Sequence, residues 1–396
     1  MSMVDTEKYS LPVRYGTDMR ILIVGGGIAG LTLAGLLQQR GFRPTVAERI
    51  PEYGNVGYII VLWPAGSRIL KGLGVYEDLL EAGLPFSDYN VWDESGEMLQ
   101  SYSVLPVTEK YGPMISIYRP ELINVLRKAV DPEFIRMDTR VQNMEQTNDE
   151  VFVTFSDGSE ETYDLVLGCD GVNSETRRQV FGEVQPTFGG MTGWNFWVKS
   201  GILEPTQIAE YWGTGKFLGI WPTKGRLSVF TSIRSPEGIP DPIDGRIDRI
   251  NENFQGFNGI VPEILSHLDD PNEIYHSDYY DLQIDKWYKG RVGLIGDSAH
   301  AVLPTAGGGV SMAMESAAVM ADELCRADSK YISHALEAHM TRRRSRVDKI
   351  QNQSRMMGKF AYANSKAVSS LRNLVLKLFS KKIHFNYWDS MLKEPI

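Results

Sequence analysis

Residues 20–49 read RILIVGGGIAGLTLAGLLQQRGFRPTVAER, and this stretch decides the fold. The apolar run Ile21 to Val24 has the pattern of a strand buried on both faces, as in a parallel sheet. Gly25, Gly27 and Gly30 follow in G-x-G-x-x-G spacing. Gly25 permits a tight turn, Gly27 lets a pyrophosphate approach the backbone, and Gly30 lets the helix pack close to the strand. Ile28 and Ala29 open a run to Arg40 with apolar residues at helical spacing. The free N–H groups and positive dipole end of that helix face the phosphates. A second strand, Thr45 to Ala47, ends at Glu48, 18 residues after Gly30. A carboxylate at that point accepts hydrogen bonds from both hydroxyls of a ribose. Strand, turn, helix, strand and acid in this order predict a dinucleotide site. The acid favours a free ribose, hence FAD or NAD and not NADP; the motif alone does not separate those two.

The rest of the composition narrows the class. A chain of 396 residues is long enough for two domains or one large composite. A hydrophobic fraction of 42% and a charged fraction of 23% are those of a soluble globular protein. The net charge of −9 argues against nucleic acid as a general partner. The two cysteines, Cys169 and Cys325, lie far apart without metal spacing, which fits a reducing compartment and a cytoplasmic location. No apolar run reaches the length of a membrane span, and residues 1–18 read as a flexible tail with no apolar leader core.

Along the chain, Tyr89 to Tyr102 reads as a hairpin around Glu94-Ser95-Gly96. Tyr118-Arg119-Pro120 introduces a helix with proline in its first turn. Residues 183–283 are rich in aromatics, Gly and Pro, with strand-like pieces Gly193 to Val198, Phe217 to Trp221 and Leu227 to Ile233. They suggest an antiparallel sheet inserted into a nucleotide domain. Residues 331–382 read as helical. Within them, SLRNLVLKLFSKK (370–382) is basic and amphipathic. Docking on the body is its ordinary reading, and lying on a membrane surface is the alternative. The run Arg342-Arg343-Arg344 reads as a solvated helix face.

Two further segments carry motif-like chemistry. In LVLGCDGVNSETRR (165–178), Asp170 and Gly171 stand at a strand end, the place where α/β sheets meet their ligands; a plain turn is the alternative. In GLIGDSAHAVLPTAGGGVSMAMESA (293–317), a buried strand ends at Gly296-Asp297, then Pro304 and the glycines 307–309 lead into a helix. The glycine run presents bare N–H groups to a developing anion, or serves only as a flexible linker.

The three motifs together resemble the single-component FAD-dependent aromatic hydroxylases, the para-hydroxybenzoate hydroxylase-like flavoprotein monooxygenases. The resemblance covers roughly residues 19–360. It implies an α/β fold: a Rossmann-like FAD-binding domain (19–88, 117–182 and 284–330), an interleaved antiparallel-sheet substrate domain (89–116 and 183–283) and C-terminal helices (331–396). It implies that Gly25, Gly27, Ile28, Ala29 and Gly30 hold the pyrophosphate and that Glu48, with Arg49, holds the adenosine ribose. Arg119 would contact the phosphate and ribityl region, and Val141 would present its backbone to adenine. Asp170 would serve both FAD and NAD(P)H, and Asp297 would bind a ribityl hydroxyl. Pro304, Gly307, Gly308, Gly309 and Val310 would lie along the isoalloxazine. Family members usually carry Gly-Gln-Gly where this chain has Gly307-Gly308-Gly309, and an aspartate where it has Glu315.

The implied reaction uses tightly bound, non-covalent FAD, transient NADPH or NADH, and O2. One oxygen atom passes, through a flavin C4a-hydroperoxide, to an aromatic or otherwise unsaturated small molecule. Trp194, Trp212, Phe217 and Trp221 are candidates for the substrate pocket, although strand alternation sends only half of such residues inward. His300 reads first as a structural hydrogen-bonding residue, with shaping the flavin pocket, as a histidine in this motif does among hydroxylases, the alternative; no catalytic acid, base or metal ligand stands out. The expected assembly is a monomer or homodimer. A flavin-dependent halogenase, an alkene reductase and a non-catalytic FAD-binding protein are the competing functions on the same scaffold.

Overall fold

A computed structural model of the protein describes residues 17–54, 57–199, 201–202, 204, 206–379 and 381–393. Most of the expected tail, residues 1–16, lies outside the described residues.

Two sheets carry the architecture. The first has six strands in the order Tyr288–Lys289, Val292–Leu294, Leu165–Gly168, Ile21–Val24, Thr45–Ala47, Ile135–Arg136. Its pairs are parallel except for the antiparallel edge pair Tyr288–Lys289 with Val292–Leu294. Every residue of Ile21–Val24 and Leu165–Gly168 is buried, as an apolar run without alternation requires. The helix Ile28–Gln39 returns across this sheet and packs beside the later helix Gly309–Leu324.

The second sheet has seven strands in the order Tyr275–Asp281, Thr187–Lys199, Arg226–Arg234, Lys216–Thr223, Gln207–Trp212, Asp88–Asp93, Met98–Ser103. It is antiparallel except where Gln207–Trp212 meets Asp88–Asp93 in parallel register. That single join grafts the hairpin 88–103 onto the sheet of 187–281. The hairpin turns as expected at 94–96, where Gly96 takes φ 84° and Asp93 Oδ1 accepts from the Ser95 and Glu97 N–H groups at 2.9 and 3.0 Å.

Alternation gives the second sheet two different faces. The outer face (Trp194, Phe196, Tyr211, Leu218, Ile220, Val229) packs on the helices Arg246–Phe254 and Val261–Leu265 through Ile250, Phe254 and Ile264. These two helices were not legible among the strand-like pieces of 183–283. The inner face (Val91, Met191, Trp212, Phe217, Tyr279) packs on Leu303, Ala361, Tyr362 and Leu376. Residues 331–382 are helical as expected, as Ile332–Ala361 and Lys366–Lys377, and a further helix follows at Lys381–Leu392.

Candidate active site

The register of the first sheet gathers the motifs. Val24 stands opposite both Gly168 and Ala47, and Gly168 stands opposite Leu294. The Gly25 turn, Glu48, Asp170 and Asp297 therefore leave the sheet along one edge, at the carboxyl ends of its strands. Three backbone bonds lace that edge: Gly25 N–H to Ala47 O at 2.8 Å, Cys169 N–H to Val24 O at 2.7 Å, and Ile295 N–H to Gly168 O at 2.9 Å.

The three glycines divide their work. At Gly25, with φ 104°, a Cβ would stand 2.7 Å from Cys169 O. At Gly30 it would stand 1.9 Å from Gly25 O. Both residues are thus required by the fold itself. A Cβ at Gly27 would meet no protein atom within 4 Å, so this glycine leaves open space for a ligand.

Glu48 is 9% exposed, and its carboxylate accepts from Gly26 N–H at 2.6 Å and Ile50 N–H at 3.1 Å. Those bonds fix its aim and leave lone pairs for ribose hydroxyls. The segment before Val141 is tied to the same place: Asp138 N–H donates to Ile50 O at 3.0 Å and Thr139 N–H to Glu48 O at 2.9 Å. The Val141 side chain is buried with Val24 and Ala47, so its backbone is what remains to face a ligand. Arg49 is exposed beside Glu48.

Asp297 opens a four-residue helix, Asp297–His300, after Gly296 at φ 70°. Its surface is open to water, yet protein crowds it enough to push its carboxyl up to about 6, against the pull of the Arg119 guanidinium. Open but crowded is the condition of a residue on a cleft wall. Arg119 N–H donates to Tyr58 O at 3.1 Å, and Tyr58 feels the charges of both Arg119 and Asp297, so three distant segments come close together here. Gly296 fits there because a Cβ would stand 3.1 Å from Ala313 and 3.2 Å from Ala29, which locks the first and third motifs together.

The glycine run continues this wall. Pro304–Ala306 forms a single 3₁₀ turn, Gly307 is left-handed at φ 64°, and the helix Gly309–Leu324 follows. The first N–H groups of that helix, at Gly309 and Val310, have no intrahelical acceptor. A Cβ at Gly307 would meet open space. Gly308 has negative φ, −105°, but a Cβ there would stand 2.7 Å from the indole ring of the fully buried Trp63. Trp63 therefore fills the room that a glutamine at 308 would need, which explains the departure from Gly-Gln-Gly. An alanine at 308 is strained by contact despite its allowed φ. Trp63 escaped sequence reasoning because its partner, Ser311, whose Oγ accepts the Trp63 backbone N–H at 2.9 Å, lies 248 residues away.

Other expectations change on inspection. Both oxygens of Asp170 are engaged within its own loop, by Ser174 Oγ at 2.6 Å and Thr176 N–H at 2.9 Å. The buried Arg177 donates to Val172 O, Val184 O and Ser298 O, tying the second motif to the third. Arg343 is not on a solvated face. It and Arg346 pair with the buried Glu315 at 2.8 and 3.2 Å. The glutamate at 315 thus anchors the helix Ile332–Ala361, and Arg346 carries the tie on to Met391 O at 2.6 Å. His300 is buried against Trp287 with a ring nitrogen 2.9 Å from Ser316 Oγ, and burial holds its pKa down to about 3. It is neutral and turned into the core, as a structural residue would be. Among the described residues no cluster of His, Cys, Asp and Glu has metal-ligand geometry.

Of the four aromatic candidates, the structure brings together three. Trp212, Phe217 and Trp221 share the inner face with Phe230, with Phe217 5.8–6.5 Å from each of the other rings. Trp194 points the other way, into the outer cluster, where its indole N–H donates to Asp241 at 3.0 Å. Among the inner aromatics sits Glu210, unsuspected in the sequence. It is 6% exposed, accepts from Tyr89 OH and from the Trp212 indole N–H at 2.8 Å, and burial pushes its carboxyl up to about 7. Gly219, opposite Glu210 in register, leaves room for the Trp221 ring to fold across.

Comparison with known proteins agrees with this geometry. The family model for the FAD binding domain matches residues 18–354. The 2-heptyl-3-hydroxy-4(1H)-quinolone synthase of Pseudomonas aeruginosa is 30% identical over 91% of this chain and 94% of its own. The aurachin C monooxygenase/isomerase of Stigmatella aurantiaca is 31% identical over 77% of this chain and 80% of its own. The crystal structure of Klebsiella pneumoniae HpxO with FAD and uric acid superposes with a TM-score of 0.88 at 25% identity, over 96% of this chain and 98% of that one. Cleft, glycine turns and relatives converge: the chain belongs to the FAD-dependent aromatic hydroxylase family, and it is an FAD-dependent monooxygenase.

Proposed function

We propose that the enzyme draws electrons from NADH or NADPH and inserts one atom of O2 into a flat aromatic or otherwise unsaturated small molecule held between the FAD cleft and the inner face of the seven-stranded sheet. The observation that carries this reading is that inner face: Trp212, Phe217, Trp221 and Phe230 beside the buried carboxyl of Glu210. Such a surface stacks a flat ring and accepts one hydrogen bond from it. The quinolone and uric acid in the names of the relatives are flat nitrogen heterocycles of this kind.

Bound FAD supplies electron storage and O2 activation. The chain's own residues do the rest. Gly25 to Gly30 offer backbone N–H groups to the pyrophosphate, Glu48 accepts from the ribose, Arg119 answers phosphate charge, and Asp297 accepts from a ribityl hydroxyl. Asp170 braces the edge from behind. Pro304 to Val310 lie along the ring, where the start of the helix Gly309–Leu324 favours negative charge. The aromatic lid excludes water. In this reading residues 19–88, 117–182 and 284–330 hold FAD, 89–116 and 183–283 cover the substrate, and 331–396 brace the two. One dinucleotide fingerprint in the chain supports a transient nicotinamide, and sparse cysteine supports a cytoplasmic enzyme, as monomer or homodimer.

The test is a panel of alkylquinolones, phenols and purines. Each is scored for faster flavin reduction by NADH and NADPH, and for label carried from isotopic O2 into product. At least one class should accelerate reduction and take up label. Saturation of a carbon–carbon double bond without O2, halide incorporation, or a flavin that no compound and neither nicotinamide reduces would each overturn the reading.

A further inference from the structure

The helix Lys366–Lys377 is amphipathic in the opposite sense from an ordinary surface helix. Its inward face carries Ser369 and Arg372 beside Leu376 and is tightly held. Arg372 is buried and donates to Trp212 O at 2.9 Å, Gly213 O at 3.1 Å and Ala361 O at 2.5 Å. Ser369 Oγ accepts from Thr214 Oγ1 at 3.0 Å, and the Leu376 carbonyl accepts from Gln100. Its outward face is apolar. Val368 is 49% exposed, Leu371 62%, Leu374 57%, and Leu378, just past its end, 74%. At helical spacing these side chains form one stripe, and Ile383, 44% exposed, lies in the first turn of the next helix. Leucines displayed together on an otherwise charged protein mark a contact surface.

The charges around the stripe identify the contact. In a chain of net charge −9, residues 363–388 contain Lys366, Arg372, Lys377, Lys381 and Lys382 and no aspartate or glutamate. Arg372 is turned inward and Lys377 reaches Glu97 at 2.5 Å, while Lys366, Lys381 and Lys382 are exposed beside the leucines. An apolar stripe rimmed by lysines complements the acyl boundary and headgroups of an anionic lipid surface. No helix among the described residues is long and apolar enough to cross a membrane, so the contact is one of lying on the surface.

We propose that the outward face of the helix Lys366–Lys377, with Leu378 and Ile383, seats the enzyme on an anionic membrane surface. The seat adjoins the aromatic pocket, because Leu376 on the opposite side of the same helix packs in the cluster of Trp212, Phe217 and Tyr362.

The experiment is flotation of the FAD-loaded full chain with vesicles of phosphatidylcholine alone or mixed with phosphatidylglycerol, at low and raised salt. The wild type should float with the mixed vesicles, roughly tenfold more than with phosphatidylcholine alone, and salt should weaken it. The triple variant Leu371→Ser, Leu374→Ser, Leu378→Ser should lose this binding with its flavin content and thermal midpoint unchanged. Lys381→Glu with Lys382→Glu should lose the preference for phosphatidylglycerol. A wild type that never floats, or a triple variant that floats equally well, overturns the proposal. So does self-association of the wild type that the triple variant abolishes without any vesicle binding, which would give the stripe to a second copy of the chain.

Discussion

The edge of the six-stranded sheet and the inner face of the seven-stranded sheet are built by opposite means. At the edge, the groups proposed to meet the cofactor are mostly backbone: the turn at Gly25 to Gly30, the helix start at Gly309, the peptide at Val141. The few side chains there, such as Glu48, are themselves aimed by backbone N–H groups. On the inner face the groups are side chains, Trp212, Phe217, Trp221 and Glu210, standing on regular strands. Backbone sites demand glycine at fixed spacing and tolerate little change. Side-chain sites keep the strand and exchange what it carries. One scaffold can therefore hold one cofactor and many substrates.

The edge breaks most severely. Gly30→Ala places a methyl group 1.9 Å from Gly25 O. The strand–turn–helix unit cannot close around it, and the penalty rivals the whole stability of a domain, about 5–15 kcal/mol. No soluble protein is expected. At Gly27, three residues earlier, a Cβ meets no protein atom within 4 Å, so Gly27→Val begins from open space. It should fold to within about 1 kcal/mol of wild-type apoprotein and purify colourless. A yellow Gly27→Val variant would show that the open space at this glycine is not the cofactor's.

Next in size is the tie between the two regions and the C-terminal helices. Glu315→Ala removes the buried carboxylate with which Arg343 and Arg346 pair. Removing one partner of such a set costs about 3–5 kcal/mol. The thermal midpoint, followed by flavin fluorescence, should fall markedly. Glu315→Asp should lie between, since the shorter acid reaches the two guanidiniums less well. A midpoint unmoved by Glu315→Ala would make the long helix independent of its buried charges.

How far each region was legible follows from the same contrast. Gly25 and Gly30 were readable as turn and packing residues because backbone geometry restricts the residue type there, and Glu48 and Asp297 were readable only as acids that follow strands. Asp170 was readable as a strand-end residue, but not the loop partners that occupy its carboxylate. The inner face was only half readable. Alternation says that every second residue points in, but the bulged pairing between Phe188 and Thr192 breaks the count before Trp194 is reached. Trp63 and Gly308, Glu315 and Arg343, and Glu210 and Tyr89 are pairs made across long stretches of chain, and no local pattern announces them.

On the inner face, burial holds the Glu210 carboxyl at about 7, above its ordinary 4.5. The folded protein thus keeps a proton between those pH values that the unfolded chain has released. This group's contribution to stability is complete below about pH 4.5 and is lost as pH rises through 7, a cost of about 3 kcal/mol by pH 8. Glu210→Gln keeps the shape without the charge. It should match the wild type near pH 5 and be the more stable of the two at pH 8. Equal stability of the pair at both pH values would mean that Glu210 titrates as an exposed carboxyl.

The smallest effect separates the two faces of the same sheet. Trp194 and Trp221 lie on strands of one sheet that both pair with Arg226–Arg234, and composition cannot tell them apart. Trp194 gives its indole N–H to Asp241, which Arg246 and Arg249 already hold at 2.6 and 2.7 Å. Trp194→Phe therefore removes one of the four hydrogen bonds that the Asp241 carboxylate accepts. It should cost about 1 kcal/mol of stability and leave the Michaelis constant for an accepted substrate unchanged. Trp221 is half-buried among Phe217 and Phe230 on the inner face. Trp221→Phe should leave the fold intact but withdraw stacking area worth about 1.4 kcal/mol, raising that constant roughly tenfold. The two substitutions are chemically identical, so any difference between them reports the face alone. Equal shifts in both variants would place the substrate elsewhere than against the inner face.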